Sequence, residues 1–393
     1  MCGNQPRFET MRRVLHSEAA AGVVLILAAA VAMAWANCRW SGSYFDLWRA
    51  PLEHGLATHA SSGSLRFWIN DGLMSVFFLL VGLELRWELS YGILARTSVA
   101  LLPAIAALGG VIAPTLIYVA FNIHSPTQNG WGVTMATDIA FALGVLALLG
   151  TRIPSAVRVL LLSIAIADDI LAIIVIAVVY SGEINSTGLV IAATGVLVMV
   201  LMQRLGLRGL GSLVLPGALV WLGLYRAHIH PSVAGAVLGL LTPPRRGSAA
   251  APAAPFESAL EPWVAFAVMP LFALANAGVA IGQLHWGDTA AVKVTVGIVA
   301  GLVAGKALGI VLATLCAVKL GVASLPDDVG WRAVVLLGTI AGVGFTMAIF
   351  IANLAFTDTS LLDAAKFAVL LASSLAAVAA LIFGRLAWRH SSS

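Results

Sequence analysis

The sequence predicts an all-α polytopic membrane protein with about twelve transmembrane helices, and three observations lead there. Hydrophobic residues make up 60% of the 393 positions. Charged residues make up 10%, against roughly 25% in a soluble domain. Mean hydropathy is +0.98. At about 20 apolar residues per span, this stock furnishes on the order of twelve spans and leaves little for an aqueous domain. Most soluble enzymes and nucleic-acid binders are thereby excluded, and the formal charge of +4 reads as membrane topology rather than as affinity for a polyanion.

Apolar runs bounded by Gly, Pro, charge or Trp fall at 19–36, 69–90, 98–121, 130–149, 157–180, 187–204, 210–226, 228–242, 260–282, 292–316, 331–355 and 362–386. The first follows Arg7, Arg12 and Arg13, as in a signal peptide. At about 18 residues it exceeds a typical h-region, and Ala34-Trp35-Ala36 puts a Trp in the cleavage-like stretch, so it reads as a retained span. The runs 210–226 and 228–242 are short enough to be tilted, partial or merged. Residues 37–68, with Gly42, Pro51 and Gly63, read as an extracytoplasmic hairpin or surface helix. Residues 242–259, with Pro243, Pro244, Pro252 and Pro255, read as a cytoplasmic linker inside one transmembrane domain spanning 1–393. Cys2, Cys38 and Cys316 have neither disulfide nor metal spacing.

Twelve spans place both termini on one side. The loops on that side hold 15 Lys and Arg, among them Arg86, Arg152, Arg204, Arg245 and Arg332, and the opposite loops hold 6. Cytoplasmic loops carry the excess, so both termini are expected in the cytoplasm. Trp87, Trp131, Trp263, Trp286 and Trp331 lie near span ends, where an interfacial aromatic belt belongs.

A duplication is also legible. Residues 98–180 and 292–386 are each three consecutive spans, and their separation inserts them with opposite topology. The middle span of each carries a break, Thr137-Asp138 in one and Gly342-Val343-Gly344 in the other. Inverted repeats with broken helices are the architecture of secondary transporters, which line a cavity with the freed backbone. Gly342 and Gly344 are open to a second reading, as small residues allowing close helix packing.

Of the 40 charged residues, 36 fall in loops or near span ends. The other four, Asp138, Asp168, Asp169 and Lys306, lie near mid-span. Each costs about 2.5–3.5 kcal/mol in hydrocarbon unless paired, protonated or hydrated. Lys306 is some twelve residues from either end of its helix, roughly 18 Å at 1.5 Å rise, beyond the reach of snorkelling. One Lys neutralises one Asp, which leaves two carboxylates for a cation or protons to balance. Asp168 and Asp169 point about 100° apart on a helix, so one can face a cavity while the other meets a neighbour. Such a pair titrates as a coupled unit. It can hold a small hard cation on oxygen ligands or protons, but not both at full occupancy, and that competition suffices for exchange.

Several motifs carry a family resemblance. Asn70-Asp71-Gly72-Leu73-Met74 running into Phe77-Phe78-Leu79-Leu80-Val81-Gly82-Leu83-Glu84, Ala136-Thr137-Asp138-Ile139-Ala140-Phe141-Ala142-Leu143-Gly144, Ala165-Ile166-Ala167-Asp168-Asp169, Gly305-Lys306 and Gly344-Phe345-Thr346-Met347 resemble the NhaA-type sodium/proton antiporters, in order and over nearly the whole chain. Inverted repeats are a known property of that family, so this architecture comes with the resemblance.

The resemblance implies a secondary transporter, not an enzyme, exchanging cytoplasmic Na⁺ and also Li⁺ for external H⁺ across the bacterial inner membrane, without a cofactor. It implies electrogenic, pH-gated transport with a role in Na⁺ and pH homeostasis. Asp169 is then the principal Na⁺ ligand and Asp168 the proton-exchanging neighbour that pairs with Lys306. Thr137 and Asp138 lie where the two broken helices cross, Asp138 compensating the half-helix dipoles. Glu84, Glu257 and His230 match positions tied to pH response at the cytoplasmic mouth, and the loop 37–68 matches one that mediates a homodimer. The chain departs from the family at Ala167, in place of a bulkier aliphatic residue, at Ala307, where Pro is common, and at Glu261, where a His is familiar. The alternative is a sodium-coupled symporter of an organic solute, which needs convergent polar groups at mid-membrane beyond the Asp and Lys cluster. An intramembrane aspartyl protease lacks its motif, since Gly342-Val343-Gly344 is followed by Phe345.

Overall fold

The computed structural model describes residues 18–51, 63–92, 95, 97–150, 153–207, 211–243 and 257–388. Helices carry the fold, and among the described residues the one β pairing is an antiparallel bridge between Pro51 and Ser64. The chain forms two units, the first from residues 1–41, 96–169 and 276–393, the second from 42–95 and 170–275.

In the first unit, α1 (Glu18–Ala36) is apolar on every face, as a lipid-embedded helix is. It ends at Asn37, whose Nδ2 donates to the carbonyls of Met33 at 2.8 Å and Val279 at 2.7 Å while its Oδ1 accepts from the Ile281 amide. In the second, α2 (Ser41–Arg49) is a short helix that buries Tyr44 and Trp48, and the Tyr44 hydroxyl donates to the Leu274 carbonyl. The region 37–68 therefore holds a helix, and its residues 52–62 lie outside the described residues.

The second unit continues with α3 (Leu65–Tyr91), which contains one wide, π-type turn at Trp68–Leu73. Such a turn upsets the regular i to i−4 ladder. The Asp71 carbonyl within it accepts from the indole of Trp221 and the hydroxyl of Ser75. The first unit then holds α4 (Thr97–Phe121), a 3₁₀ segment (Pro126–Thr134) and α5 (Ile139–Leu148). Helix α6 (Ser155–Val178) contributes to both units, which divide after Asp169. Helices α7 (Ser186–Arg204), α8 (Gly211–Arg226), α9 (Val233–Leu241) and α10 (residues 257–276) complete the second unit. Helices α11 (Thr289–Lys319), α12 (Trp331–Ala341), α13 (Phe345–Ala355) and α14 (Thr359–Ala387) complete the first.

Every apolar run expected to span carries helix. Among the described residues, seven helices are long and apolar enough to cross a membrane, and the pairs on either side of 135–138 and 342–344, bent by 48° and 45°, qualify when each is taken as one span. Helices α8 and α9, of 16 and nine residues, are separate and shorter than a full crossing, so twelve complete crossings are not demonstrated. Of the linker 242–259, residues 244–256 lie outside the described residues.

Helix pairs meet through small residues, the packing that membrane helices favour. A methyl on Gly309 of α11 would sit 2.1 Å from the Gly109 carbonyl oxygen of α4, and one on Gly109 would sit 2.3 Å from the Gly309 carbonyl oxygen. The two backbones are in contact there. In the second unit, Gly235 of α9 meets the Ser75 carbonyl of α3 in the same way.

Candidate functional site

The two broken spans meet at their breaks. Asp138 has an extended backbone (φ −85°, ψ 104°), and its amide donates not to its own helix but to the Val343 carbonyl, at 2.8 Å. Gly342 and Gly344 serve both readings offered by the sequence. They separate α12 from α13, and they permit close approach, since a methyl on Gly342 would lie 2.4 Å from the Leu302 carbonyl oxygen and one on Gly344 would lie 3.0 Å from that of Ala136. Neither has a positive φ, so space rather than backbone conformation demands glycine.

Asp138 caps both half-helices that begin at the crossing. Its Oδ1 accepts from the Phe141 amide at 3.0 Å, which satisfies α5. Its Oδ2 accepts from the Thr346 amide at 3.1 Å and from the Thr346 hydroxyl, which satisfies α13. Helix N-termini carry partial positive charge, so one carboxylate answers two of them. The Phe345 amide is taken separately, by Ser373 Oγ of α14 at 3.0 Å.

Asp138, Asp168, Asp169 and Lys306 are all buried within the first unit. Lys306 Nζ lies 2.5 Å from Asp168 Oδ2, and the Thr137 hydroxyl reaches the same oxygen at 2.7 Å. Thr137 Oγ1 is also 3.0 Å from the Ala341 carbonyl, the last of α12. Asp168 Oδ1 makes no hydrogen bond among the described residues. Lys306 follows directly on a π-type turn at Gly301–Gly305, and its amide closes that turn onto the Gly301 carbonyl. Its stem passes Gly110 of α4. Ala307 packs its backbone on Gly338 of α12. Of the one ammonium and three carboxylates expected from the sequence, Lys306 pairs with Asp168, Thr137 links that pair to the segment of Asp138 at the helix crossing, and Asp169 is buried next to Asp168 in sequence.

Two of the residues singled out for pH response, His230 and Glu84, lie apart. In the second unit, His230 Nδ1 lies 3.2 Å from Asp71 Oδ1, near the start of α3. Glu84 is 13 residues further along that helix, roughly 20 Å at 1.5 Å per residue, and so stands away from the Asp71–His230 pair. The side chain of Glu257 lies outside the described residues. The pair Asp71–His230 borders a cavity of about 700 Å³ that Trp68, Trp221 and Tyr225 also line, with Trp221 stacked between the other two.

Sorting charges by depth also missed three. Asp71, Glu88 and Lys366, assigned to loops or span ends, are 9%, 8% and 2% exposed. Thr346 stood in a family motif without a role, and Ser373 was not singled out at all. Their signal was a hydroxyl in an apolar run, which is weak because Ser and Thr often bond within their own helix.

The comparisons with known proteins bear on this geometry. A family model described as Na⁺/H⁺ antiporter 1 matches residues 12–383. The chain belongs to this family. Among its Na⁺/H⁺ antiporter relatives, one named NhaA 2 from Sorangium cellulosum is 46% identical, covering 97% of this chain and 91% of the relative. Another, NhaA from Acidovorax sp., is 49% identical over 95% and 91%. A third, NhaA 2 from Myxococcus xanthus, is 43% identical over 95% and 88%. This antiporter family is one of multi-pass membrane transporters rather than enzymes, and the helical, apolar architecture above is that of such a protein.

Proposed function

We propose that this chain exchanges cytoplasmic Na⁺, and also Li⁺, for external H⁺ by alternating access, with Asp168 and Asp169 as the groups that hold cation and protons in turn. The observation that carries this reading is the excess of buried carboxylates: Asp168 paired with Lys306, Asp169 next to it in sequence, and Asp138 at the crossing of two broken helices. A buried carboxylate excess needs a cation or protons, and a site that takes either exchanges one for the other. Thr137 and Lys306 compensate Asp168 between loads, and Asp138 holds the half-helices in place. The relatives are named for Na⁺/H⁺ exchange, which supports the same substrates here.

In this reading, the carboxylates lose protons facing the cytoplasm, bind Na⁺, and release it outside when protons take its place. With more protons than Na⁺ per cycle, transport is electrogenic and drawn by the membrane potential, at about 2.3 kcal/mol per charge per 100 mV. The protein then serves Na⁺ and pH homeostasis from the bacterial inner membrane, with both termini cytoplasmic, as the excess of Lys and Arg in one set of loops supports. Glu84, Glu257 and His230 contribute to pH gating, and region 37–68 supports a homodimer. No cofactor is needed. The test is Na⁺-evoked dequenching of a pH-gradient dye in proteoliposomes. The wild type is expected to respond and Asp169→Asn to be silent; an unchanged response in Asp169→Asn overturns the site, and no response in the wild type to Na⁺ or Li⁺ at any pH overturns the function.

A further inference from the structure

We propose that the cavity beside Asp71 binds an organic ammonium ion whose nitrogen carries alkyl groups, a quaternary ammonium above all. The residues that line it all belong to the second unit and include none of the carboxylates proposed for exchange, so the inference goes beyond the exchange reading and does not rest on it. At about 700 Å³ the cavity is of the size of small-molecule sites, roughly 300–1,000 Å³. Much of its wall is aromatic. Trp221 stacks on Trp68 and on Tyr225, with ring centroids 5.9 Å and 5.7 Å apart, and Phe67 stands at a steep angle to all three. Two elements bring these rings together. Phe67 precedes and Trp68 opens the wide turn near the start of α3, while Trp221 and Tyr225 lie about one turn apart on α8.

Asp71 belongs to the same wide turn and is the one carboxylate lining the cavity among the described residues. Its Oδ1 lies 3.2 Å from His230 Nδ1, while its Oδ2 makes no hydrogen bond among the described residues. A largely buried carboxylate oxygen without a donor is costly, and packing alone gives no reason to set one beside an aromatic wall. Ring faces are electrically negative, and indoles attract cations most strongly. Carboxylate and indoles together therefore favour a positive guest. A bare metal ion wants several oxygen ligands, and among the described residues no group of three or more His, Cys, Asp and Glu is placed to hold one. An anion would meet Asp71. An alkylated ammonium fits, because it brings charge to the carboxylate and apolar alkyl groups to the rings. Arg226, the one Lys or Arg lining the cavity, is exposed, so water and salt screen its charge. His228 is exposed as well, with its Nδ1 2.9 Å from the Glu183 carbonyl. A guest in this place touches both the wide turn of α3 and the end of α8, and so ties the two together.

The experiment is a calorimetric titration of choline into the purified chain in detergent. Choline's neutral isostere, in which a tert-butyl group replaces the trimethylammonium, is the comparison, since it has the same shape and no charge. Choline is expected to bind saturably and to raise the melting temperature. The isostere is expected to bind about tenfold more weakly, having lost both the ring faces and the carboxylate as electrostatic partners. No saturable binding of choline overturns the site, and so does equal binding of the isostere. Asp169→Asn is expected to bind choline as the wild type does; loss of binding there would put the ammonium at the exchange carboxylates and overturn the proposal. Trp68→Leu and Asp71→Asn are each expected to weaken choline about fivefold or more. A folded Trp68→Leu with wild-type affinity overturns it. Should neither of these two variants fold, the isostere and Asp169→Asn titrations decide the matter, and a failure of Na⁺ exchange in the wild type leaves all of these outcomes unchanged.

Discussion

The amide of Asp138 donates to the carbonyl of Val343 at 2.8 Å, so the break in one span is hydrogen-bonded, main chain to main chain, to the break in the other. Side chains reinforce that joint from both directions, since the Asp138 carboxylate caps α5 and α13 together.

Asp138→Ala is accordingly expected to cost two caps, about 1–4 kcal/mol at 0.5–2 kcal/mol each. Ser373→Ala removes only the acceptor for the Phe345 amide and is expected to cost about 1–3 kcal/mol. Melting temperatures in detergent should rank wild type above Ser373→Ala, with Asp138→Ala at or below it. Equal stability of Asp138→Ala and wild type would show that the caps do not hold the joint.

Lys306→Met leaves Asp168 buried without its ammonium. Removing one partner of a buried pair costs about 3–5 kcal/mol, whereas removing both is often neutral. The double variant Asp168→Asn with Lys306→Met should thus recover most of the stability lost in Lys306→Met. A double variant less stable than either single would refute the pairing seen at 2.5 Å.

Gly309→Ala drives a methyl into the Gly109 carbonyl, and overpacking of this kind costs about 1–3 kcal/mol. Gly282, with open space around it, is the control: Gly282→Ala is expected to stay within about 0.5 kcal/mol of wild type. Thermal unfolding of the two variants side by side checks this.

Na⁺ binding to the folded state alone raises the melting temperature by mass action. The rise is expected to shrink as the medium is acidified, because protons compete for the same carboxylates, and to vanish in Asp169→Asn. Scanning fluorimetry over a matrix of Na⁺ concentration and pH measures it. A rise independent of pH would place the cation elsewhere.

Much of this molecule was legible from the chain because hydrophobic length is a strong signal in membranes. Each of the twelve apolar runs carries helix, and the four mid-span charges proved to be buried in protein because hydrocarbon gives a lone charge no other resting place. Asp71, Glu88 and Lys366 escaped notice because a charge near a span end looks alike in sequence whether it faces water or protein. The cap that Ser373 gives Phe345 joins residues 28 apart on different helices, and no periodicity encodes such a partner. That Pro126–Thr134 winds as a 3₁₀ segment was equally hidden, since its glycines and polar residues favour no helical period.

The contact of Gly109 with Gly309 restricts how Lys306 can travel. Lys306 sits three residues, just under one turn, before Gly309 on α11. Rolling α11 about its axis, or sinking it toward α4, presses carbonyl against backbone with no side chain to yield between them. The two helices behave as a single bar at that point. Any stroke that separates Lys306 from Asp168 must carry α4 along with α11, shift the strut that bears Asp168, or leave the bar still and swing the lysine alone through its own rotamers.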